Sequence, residues 1–463
     1  MSNRLEIEIV PIGSVKPYEN SARVHNARQL RKLVTGMTRF GQVTPIIVDE
    51  NHVIVDGHAV WDALKKLGHT EIQVVVVRAR SPAEIRAIRL ALNRIAEDAS
   101  WDRDKLRTEF GELIDLGIEL DLTGFDTPEI DMTLSFDEPA GDAIEEVAAS
   151  DLNPKAAVAT AVGDIWAMGP HLAACGDARD KDLVSRLTAG RPVAAVFTDP
   201  PYNVRIDGHV SGLGRTQHAE FAMASGEMTS EQFIAFLMAA LSAIIPSLAN
   251  GAILFVAMDW RHIEELMNAG NRCGLELKNL CVWVKTNAGM GTFYRSQHEM
   301  IFVWKHGKEP HQNNFELGQH GRTRTNVWRY AGVNTFGKNR MDLLGAHPTV
   351  KPVAMIADAL KDVTRRGDVV LDPFLGSGST LLAAEETGRC CIGIELDPGY
   401  VEVAVRRWQK LTGKSATHPV TGELFDDYVE RLGKKAENAA PLVPDKPKQG
   451  LRDQSASEEV NHG

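Results

Sequence analysis

The sequence predicts an α/β fold, a mostly parallel sheet covered by helices on both faces, with a smaller α+β domain ahead of it. Two alternations of apolar β runs with helical stretches predict it, one over residues 1 to about 125 and one over 161 to about 425. The third observation is a strand that runs into a glycine-rich turn and then a helix, near residue 376. At 463 residues the chain has room for roughly two to four domains, and needs no disulfide or metal staple to hold its core.

Taken in order, the first alternation has β runs at 6–10, 45–48, 53–55 and 72–77, and helical stretches at 27–40, 59–67 and 83–97. Gly68 closes the second helix, because glycine enters the left-handed conformation at little cost. Residues 126–160 are expected to form an acidic linker. From Asp126 to Lys155 nine acids face one base, which accounts for most of the chain's net charge of −11. In the second alternation, β runs fall at 194–198, 252–257, 369–371 and 391–395, with a helix at 381–386. From 426 to 463 Lys, Glu, Pro, Asp and Ser come to dominate, and a disordered tail is expected. No run approaches the ~18 apolar residues of a membrane span, so no membrane partner is expected. The first residues lack the apolar core of a signal peptide, and the five cysteines are odd in number with no C-x-x-C spacing. A cytoplasmic protein without a disulfide framework or zinc ribbon is expected.

The negative charge by itself argues against a nucleic-acid partner, but its sign reverses locally. Between Lys278 and Lys351 eleven Lys and Arg face four acids, with Trp, Phe and Tyr interleaved. Phosphate contacts and base stacking need that combination. Lys285, Tyr294, Arg295, Arg322, Arg324 and Arg329 are its candidate DNA contacts.

Two motifs carry the chemistry. Asp199-Pro200-Pro201-Tyr202 follows the apolar run 193–197, and so sits at the carboxyl end of a buried strand, where open α/β sheets bind ligands. The run 370–380, with Asp372, Pro373, Phe374, Gly376, Gly378 and Thr380, is a strand entering a glycine loop. Glycine lets backbone approach a ligand closely. Glu395 lies near the ~20-residue offset at which an acid takes ribose hydroxyls in nucleotide-binding βαβ units. Together they point to an adenosyl-containing cofactor. The loop is not a phosphate loop of the Walker type, because no Lys follows its last glycine.

Both motifs resemble those of the S-adenosyl-L-methionine-dependent DNA amino-methyltransferases, which modify exocyclic nitrogens of adenine or cytosine. The order, with the basic segment between the two motifs, is similar to the β class of that family. Further matches are Gly163–Trp166, Cys175–Asp177, Trp283–Lys285, Tyr294–Glu299 and His347–Pro352. The resemblance implies a Rossmann-like seven-stranded methyltransferase domain over 161–425, with target recognition at about 205–345. It implies that Phe374, Gly376 and Gly378, flanked by Asp372, Pro373 and Thr380, cradle the methionine end of the cofactor. Glu395, with Asp397 beside it, would take the ribose and Asp177 the adenine. His347 and Lys351 would close over the methionine part. Double-stranded DNA is the implied substrate and a homodimer the implied assembly.

The residue types suit the reaction independently. An exocyclic amine is a poor nucleophile, because its lone pair is delocalised into the ring. Asp199 and the Pro200 carbonyl can each accept one N–H and favour a pyramidal nitrogen. Pro201 stiffens the turn and Tyr202 can stack on a base that has left the duplex. No metal is required. No Cys follows a Pro anywhere, which disfavours the cysteine-nucleophile route to C5 of cytosine. Adenine N6 is the leading target and cytosine N4 the near alternative. RNA or protein glutamine methylation ranks lower.

Residues 11–77 resemble the amino-terminal domain of ParB-like partition proteins, through 15–18, 20–23, 40–48 and 55–58. The resemblance implies a nucleotide at the Gly57 turn, although His58, Ala59 and Val60 stand where that family carries arginines. Residues 81–125 look like the helical continuation of the module. Such a fusion is typical of phage and prophage genes. A DNA-binding partition protein with a vestigial methyltransferase part is the reading from a different class.

Overall fold

The computed structural model describes residues 6–135, 158–204, 226–286, 288, 293–315, 324–331 and 350–439. The amino-terminal domain holds β1 (Ile7–Pro11), α1 (Ala27–Phe40), β2 (Ile46–Asp49), β3 (Ile54–Asp56), α2 (His58–Lys66) and β4 (Glu71–Val77). Its sheet has the order β1-β4-β2-β3, with β2 parallel to β4 and the other pairs antiparallel. Ile46, Val48, Ile54, Leu64, Ile72 and Val74 fill its core. Three further helices follow: α3 (Pro82–Ala96), α4 (Arg103–Asp115) and α5 (Thr127–Ser135). Ser81 and Glu84 form a reciprocal capping box on α3, and Asp102 caps α4.

Helix α5 corrects the expected linker, which was to begin at residue 126. Its acids are not solvated. Asp126 pairs with Arg28 and Lys32 of α1. Asp131 is buried and forms a two-pronged salt bridge with Arg389, whose side chain is fully enclosed. Arg366 approaches the same carboxylate at 3.6 Å. A charge run reads as solvated only when its partners are invisible, and these partners lie 98 and 258 residues away.

The second domain comprises β5 (Ile165–Met168), β6 (His171–Cys175), α6 (Lys181–Thr188), β7 (Val193–Thr198), α7 (Ser230–Ile244) and β8 (Leu248–Met258). It continues through α8 (Ile263–Arg272), β9 (Glu276–Val284), β10 (His298–Lys305), β11 (Val327–Arg329), α9 (Val353–Val363) and β12 (Val369–Asp372). The final elements are α10 (Ser379–Thr387), β13 (Cys390–Glu395), α11 (Pro398–Thr412) and α12 (Phe425–Ala439). Among the described residues the sheet order is β11-β9-β10-β8-β7-β12-β13-β6-β5. Strands β8, β7, β12, β13 and β6 are parallel, and β10 runs against β8 and β9. The seven strands expected are the inner ones; β11 and β5 extend the two edges.

Alternating side chains on the buried strands face two cores. Ala195 and Phe197 pack with Ile356 and Leu360 on one side, and Val196 packs with Phe233 and Leu241 on the other. The stretch Ser230–Ser247 is long and apolar enough to cross a membrane by composition. Its Phe233, Leu237, Leu241 and Ile244 are packed against the sheet.

Helix α12 corrects the expected start of the disordered tail at 426. Phe425 is fully buried, and Trp166 meets Phe425 and Tyr428 edge-on at 4.9 and 5.1 Å. The Tyr428 hydroxyl donates to Asp164. Three apolar residues at positions 425, 428 and 429 make one helical face, which the Lys- and Glu-rich composition masks.

Candidate active site

Strands β7 and β12 are neighbours, yet the chain leaves β7 toward β8 and leaves β12 toward β13. The two expected motifs therefore emerge side by side at a topological switch point, where open sheets form a crevice. Their contact is direct. The Thr198 hydroxyl donates to Asp372 Oδ1 at 2.9 Å, and Thr380 donates to its Oδ2 at 2.7 Å. The Phe374 N–H adds a third bond at 3.1 Å. Burial raises the Asp372 carboxyl to about 6, against these three donors. Asp372 and Thr380 thus brace the turns from below, with the carboxylate filled by internal donors.

The glycine loop is bent as its sequence requires. Gly376 and Gly378 have φ of +53° and +88°, and a Cβ on Gly378 would stand 2.8 Å from the Ala404 methyl. Pro373 is buried, and Phe374 is half-buried with its ring 5.9 Å from that of Phe236. Glu395 ends β13 and accepts one backbone N–H on each oxygen, from Gly376 at 2.8 Å and Asp397 at 2.9 Å. Burial nevertheless lifts its carboxyl to about 7. Asp397 itself caps α11 by accepting from Gly399. Asp177 follows β6, with its carboxylate gripped by Arg179 through bonds of 2.6 to 3.2 Å and held below the usual range.

Asp199 lies among charges that local sequence does not bring together. Its Oδ1 accepts from the Tyr202 hydroxyl at 2.5 Å, and its Oδ2 binds the Lys351 ammonium at 2.5 Å. Lys351 is 4% exposed and also reaches Glu299 at 3.1 Å. Glu299 opens β10 and takes Lys285, from the end of β9, at 2.5 Å on its other oxygen. The Tyr202 hydroxyl lies 3.3 Å from Glu299. Burial pushes Asp199 up and the Tyr202 phenol well up. Glu299 goes the other way, down to about 2, because the two ammonium groups outweigh its burial. Pro200 is buried and Pro201 half-buried. Asn203, at φ +53°, anchors the exit of the turn by accepting the N–H groups of Gly226 and Met228.

Several expected assignments change here. Lys351 contacts the Asp199 carboxylate, not a cofactor-closing loop alone, and Lys285 is drawn inward to Glu299. Arg324, expected to face DNA, is paired inside the domain. It bonds Asp358, Asp362 and the Tyr330 hydroxyl, and its side chain is 16% exposed. Trp283, Trp304 and Trp328 are core residues, unavailable for stacking. Internal pairing of this kind consumes much of the positive charge counted in the basic segment. Tyr294, Arg295 and Arg329 remain on the surface; Tyr294 touches Phe293 edge-on, and both rings are exposed. His347 and Arg322 lie outside the described residues. Glu299 had no assigned role. Its only local signal was its position in the 294–299 match.

The site has the features an adenosyl sulfonium cofactor needs. The loop admits no Cβ at Gly378, the Ser379 hydroxyl is buried without a partner among the described residues, and Glu395 keeps a lone pair on each oxygen. A cofactor turn beside an acid-and-diproline turn defines a methyltransferase of the α/β class.

The family models agree with this class. Residues 193–406 match the N6/N4 DNA methylase family, residues 104–160 the ParB-methyltransferase helix-turn-helix domain, and residues 1–93 the ParB N-terminal domain. Residues 193–406 thus carry an N6/N4 DNA methylase domain, of a family that takes its methyl group from S-adenosyl-L-methionine, behind a ParB N-terminal domain at residues 1–93. Putative methylase YubD of Escherichia coli (strain K12) is 29% identical over 218 residues, 47% of this chain and 82% of that protein. Type II methyltransferase M2.MboI of Moraxella bovis is 26% identical over 227 residues, 47% and 81% of the two chains. Among solved structures, the M1.HpyAVI–SAM complex covers 51% of this chain and 97% of its own at 20% identity, with a TM-score of 0.38. The cytosine-N4-specific PvuII DNA methyltransferase covers 60% and 95% at 15% identity, with a TM-score of 0.40. The helix-turn-helix match includes α5 and so runs through the segment whose composition suggested a linker.

Proposed function

We propose that the protein methylates adenine N6 at specific sites in double-stranded DNA. The observation that carries this reading is the direct brace between the two turns, the bond from Thr198 to Asp372, with Asp199 one residue beyond it. S-adenosyl-L-methionine supplies an activated methyl group, and Phe374, Gly376, Gly378, Glu395 and Asp177 are the residues to hold it. Asp199 Oδ1 now holds the Tyr202 hydroxyl. An incoming N6 amine replaces that hydroxyl, donating one N–H to Asp199 and the other to the Pro200 carbonyl. Tyr202 turns its ring onto the base. Held in this way the nitrogen lone pair is freed from the ring and would be available to the cofactor's activated methyl group, and Asp199 is the nearest base for the proton the amine gives up. The base reaches this crevice by leaving the duplex.

An Asp at the first motif position, where Ser would lean toward cytosine N4, favours adenine. Tyr294, Arg295 and Arg329 are the surface residues suited to the DNA. In the ParB domain, Gly57 adopts φ +98° before α2, and the guanidinium of Arg89 stacks on Tyr18 at 3.6 Å beside His58. A nucleotide phosphate is the ligand expected there. A homodimer is the expected assembly. Single-molecule sequencing of DNA from a host expressing the chain tests the reading. N6-methyladenine in one sequence context is the expected result, and N4-methylcytosine would replace the target base. The Asp199→Ala variant should bind cofactor and transfer no methyl group; wild-type turnover would refute the role given to Asp199.

A further inference from the structure

Among the described residues, Asp199 of the first motif meets three charged side chains from outside both motifs, Lys351, Glu299 and Lys285. Asp199, after β7, faces Lys351 from the segment before α9, Glu299 from β10, Tyr202 from its own turn and Asp372 from β12 through Thr198. Glu299 in turn faces Lys285 from the end of β9. The Glu299 side chain is 13% exposed and bonds two ammonium groups. An acid that served only to pin the β9–β10 hairpin would need one.

The reaction brings positive charge to this place, since the methyl donor is a sulfonium and the amine nitrogen turns cationic as the C–N bond forms. Two lysines beside one carboxylate would leave the pocket net positive and oppose it. We propose that Glu299 is a positioning residue that offsets one of the two lysine charges, so that with Asp199 the set of Lys285, Lys351, Glu299 and Asp199 is neutral and Asp199 does not face two ammonium groups alone against the reacting amine. This rests on the methyl-transfer reading above. Glu299 acts through Lys351, which it pairs at 3.1 Å, and through the Tyr202 hydroxyl at 3.3 Å. Lys285 acts one step further out, by holding Glu299.

The test uses the full chain, tritiated S-adenosyl-L-methionine and genomic DNA from a host without DNA methylation. Removing Glu299's charge in Glu299→Gln should lower kcat about a hundredfold, the scale of one uncompensated unit charge a few ångströms from a developing cation at an effective dielectric of about 20. The double variant Glu299→Gln/Lys285→Met restores neutrality and should recover at least tenfold. A merely structural role predicts the double variant to be no better than the single one, and that result overturns the proposal. The acidic limb of kcat/KM supplies a second readout. It should move to lower pH in Glu299→Gln, where a negative neighbour of Asp199 is lost. It should move to higher pH in Lys285→Met, where Glu299 is left less neutralised. Should Glu299→Gln fail to fold, Lys285→Met alone decides, and an unmoved limb refutes the proposal. Failure of the underlying reading looks different: the wild type then labels no DNA, or Asp199→Ala labels it equally well.

Discussion

Glu395 offers a prediction in which the perturbation is pH alone. Without cofactor its carboxyl is buried and titrates near 7, with desolvation outweighing the two backbone N–H bonds from Gly376 and Asp397. Two ribose hydroxyls arriving as donors need the ionised form, which offers a free lone pair on each oxygen. Below pH 7 the cofactor must therefore expel a proton before these bonds form. Affinity should fall about tenfold for each pH unit below 7, so roughly thirtyfold by pH 5.5, or ~2 kcal/mol at 1.36 kcal/mol per pH unit. Above pH 7 it should level off. Calorimetry of S-adenosyl-L-methionine binding from pH 5.5 to 8.5, in buffers of different ionisation heat, measures both the slope and the proton released. The cofactor's own amino group also titrates, and the Glu395→Gln variant carries that contribution by itself. The difference between the two curves isolates Glu395. Equal slopes in wild type and variant would remove Glu395 as the ribose acid, and so would a wild-type affinity constant within twofold across the range.

Four other variants have expected outcomes. Gly378→Ala puts a methyl 2.8 Å from the Ala404 side chain at φ +88°, so cofactor affinity should drop at least tenfold in calorimetry while the stability of the cofactor-free protein falls by ~1–3 kcal/mol. Asp131→Ala leaves the enclosed Arg389 without its carboxylate; a loss of ~3–5 kcal/mol is expected, read as a lower unfolding midpoint and faster proteolysis around α5. An unchanged midpoint would mean that α5 does not dock in solution. Arg324→Ala should destabilise the fold by breaking its bonds to Asp358 and Asp362, with cofactor binding as the control. Arg329→Glu should leave the unfolding midpoint alone and flatten the salt dependence of DNA binding by about one unit of slope. The reverse pattern for this pair would restore Arg324 to the DNA surface.

Much of the second domain could be read in the sequence because its signals are short-range. Apolar β runs place β7, β12 and β13 to within a residue or two, and Gly376 and Gly378 announce a bend that only glycine makes cheaply. Asp199 to Tyr202 and Glu395 sit at strand ends, so their edge of the sheet was fixed once the strands were. The amino-terminal sheet was legible for the same reason. Composition failed where a segment was polar and its partner distant. The acids of 126–131 find Arg28, Lys32 and Arg389, and the Lys- and Glu-rich run after 425 hides the face that covers Trp166.

The sequence alone determined the two turns, their order and the kind of chemistry their residues perform. Only the tertiary structure decided which charges surround Asp199. Lys351 is 152 residues away along the chain, and Glu299 stands 97 residues from Tyr202. They meet because β10 runs antiparallel beside β8, which brings its first residues to the edge where β7 ends. Periodicity and composition act over a few residues, whereas the pairing of buried charges is set by strand order, and strand order is a property of the folded sheet.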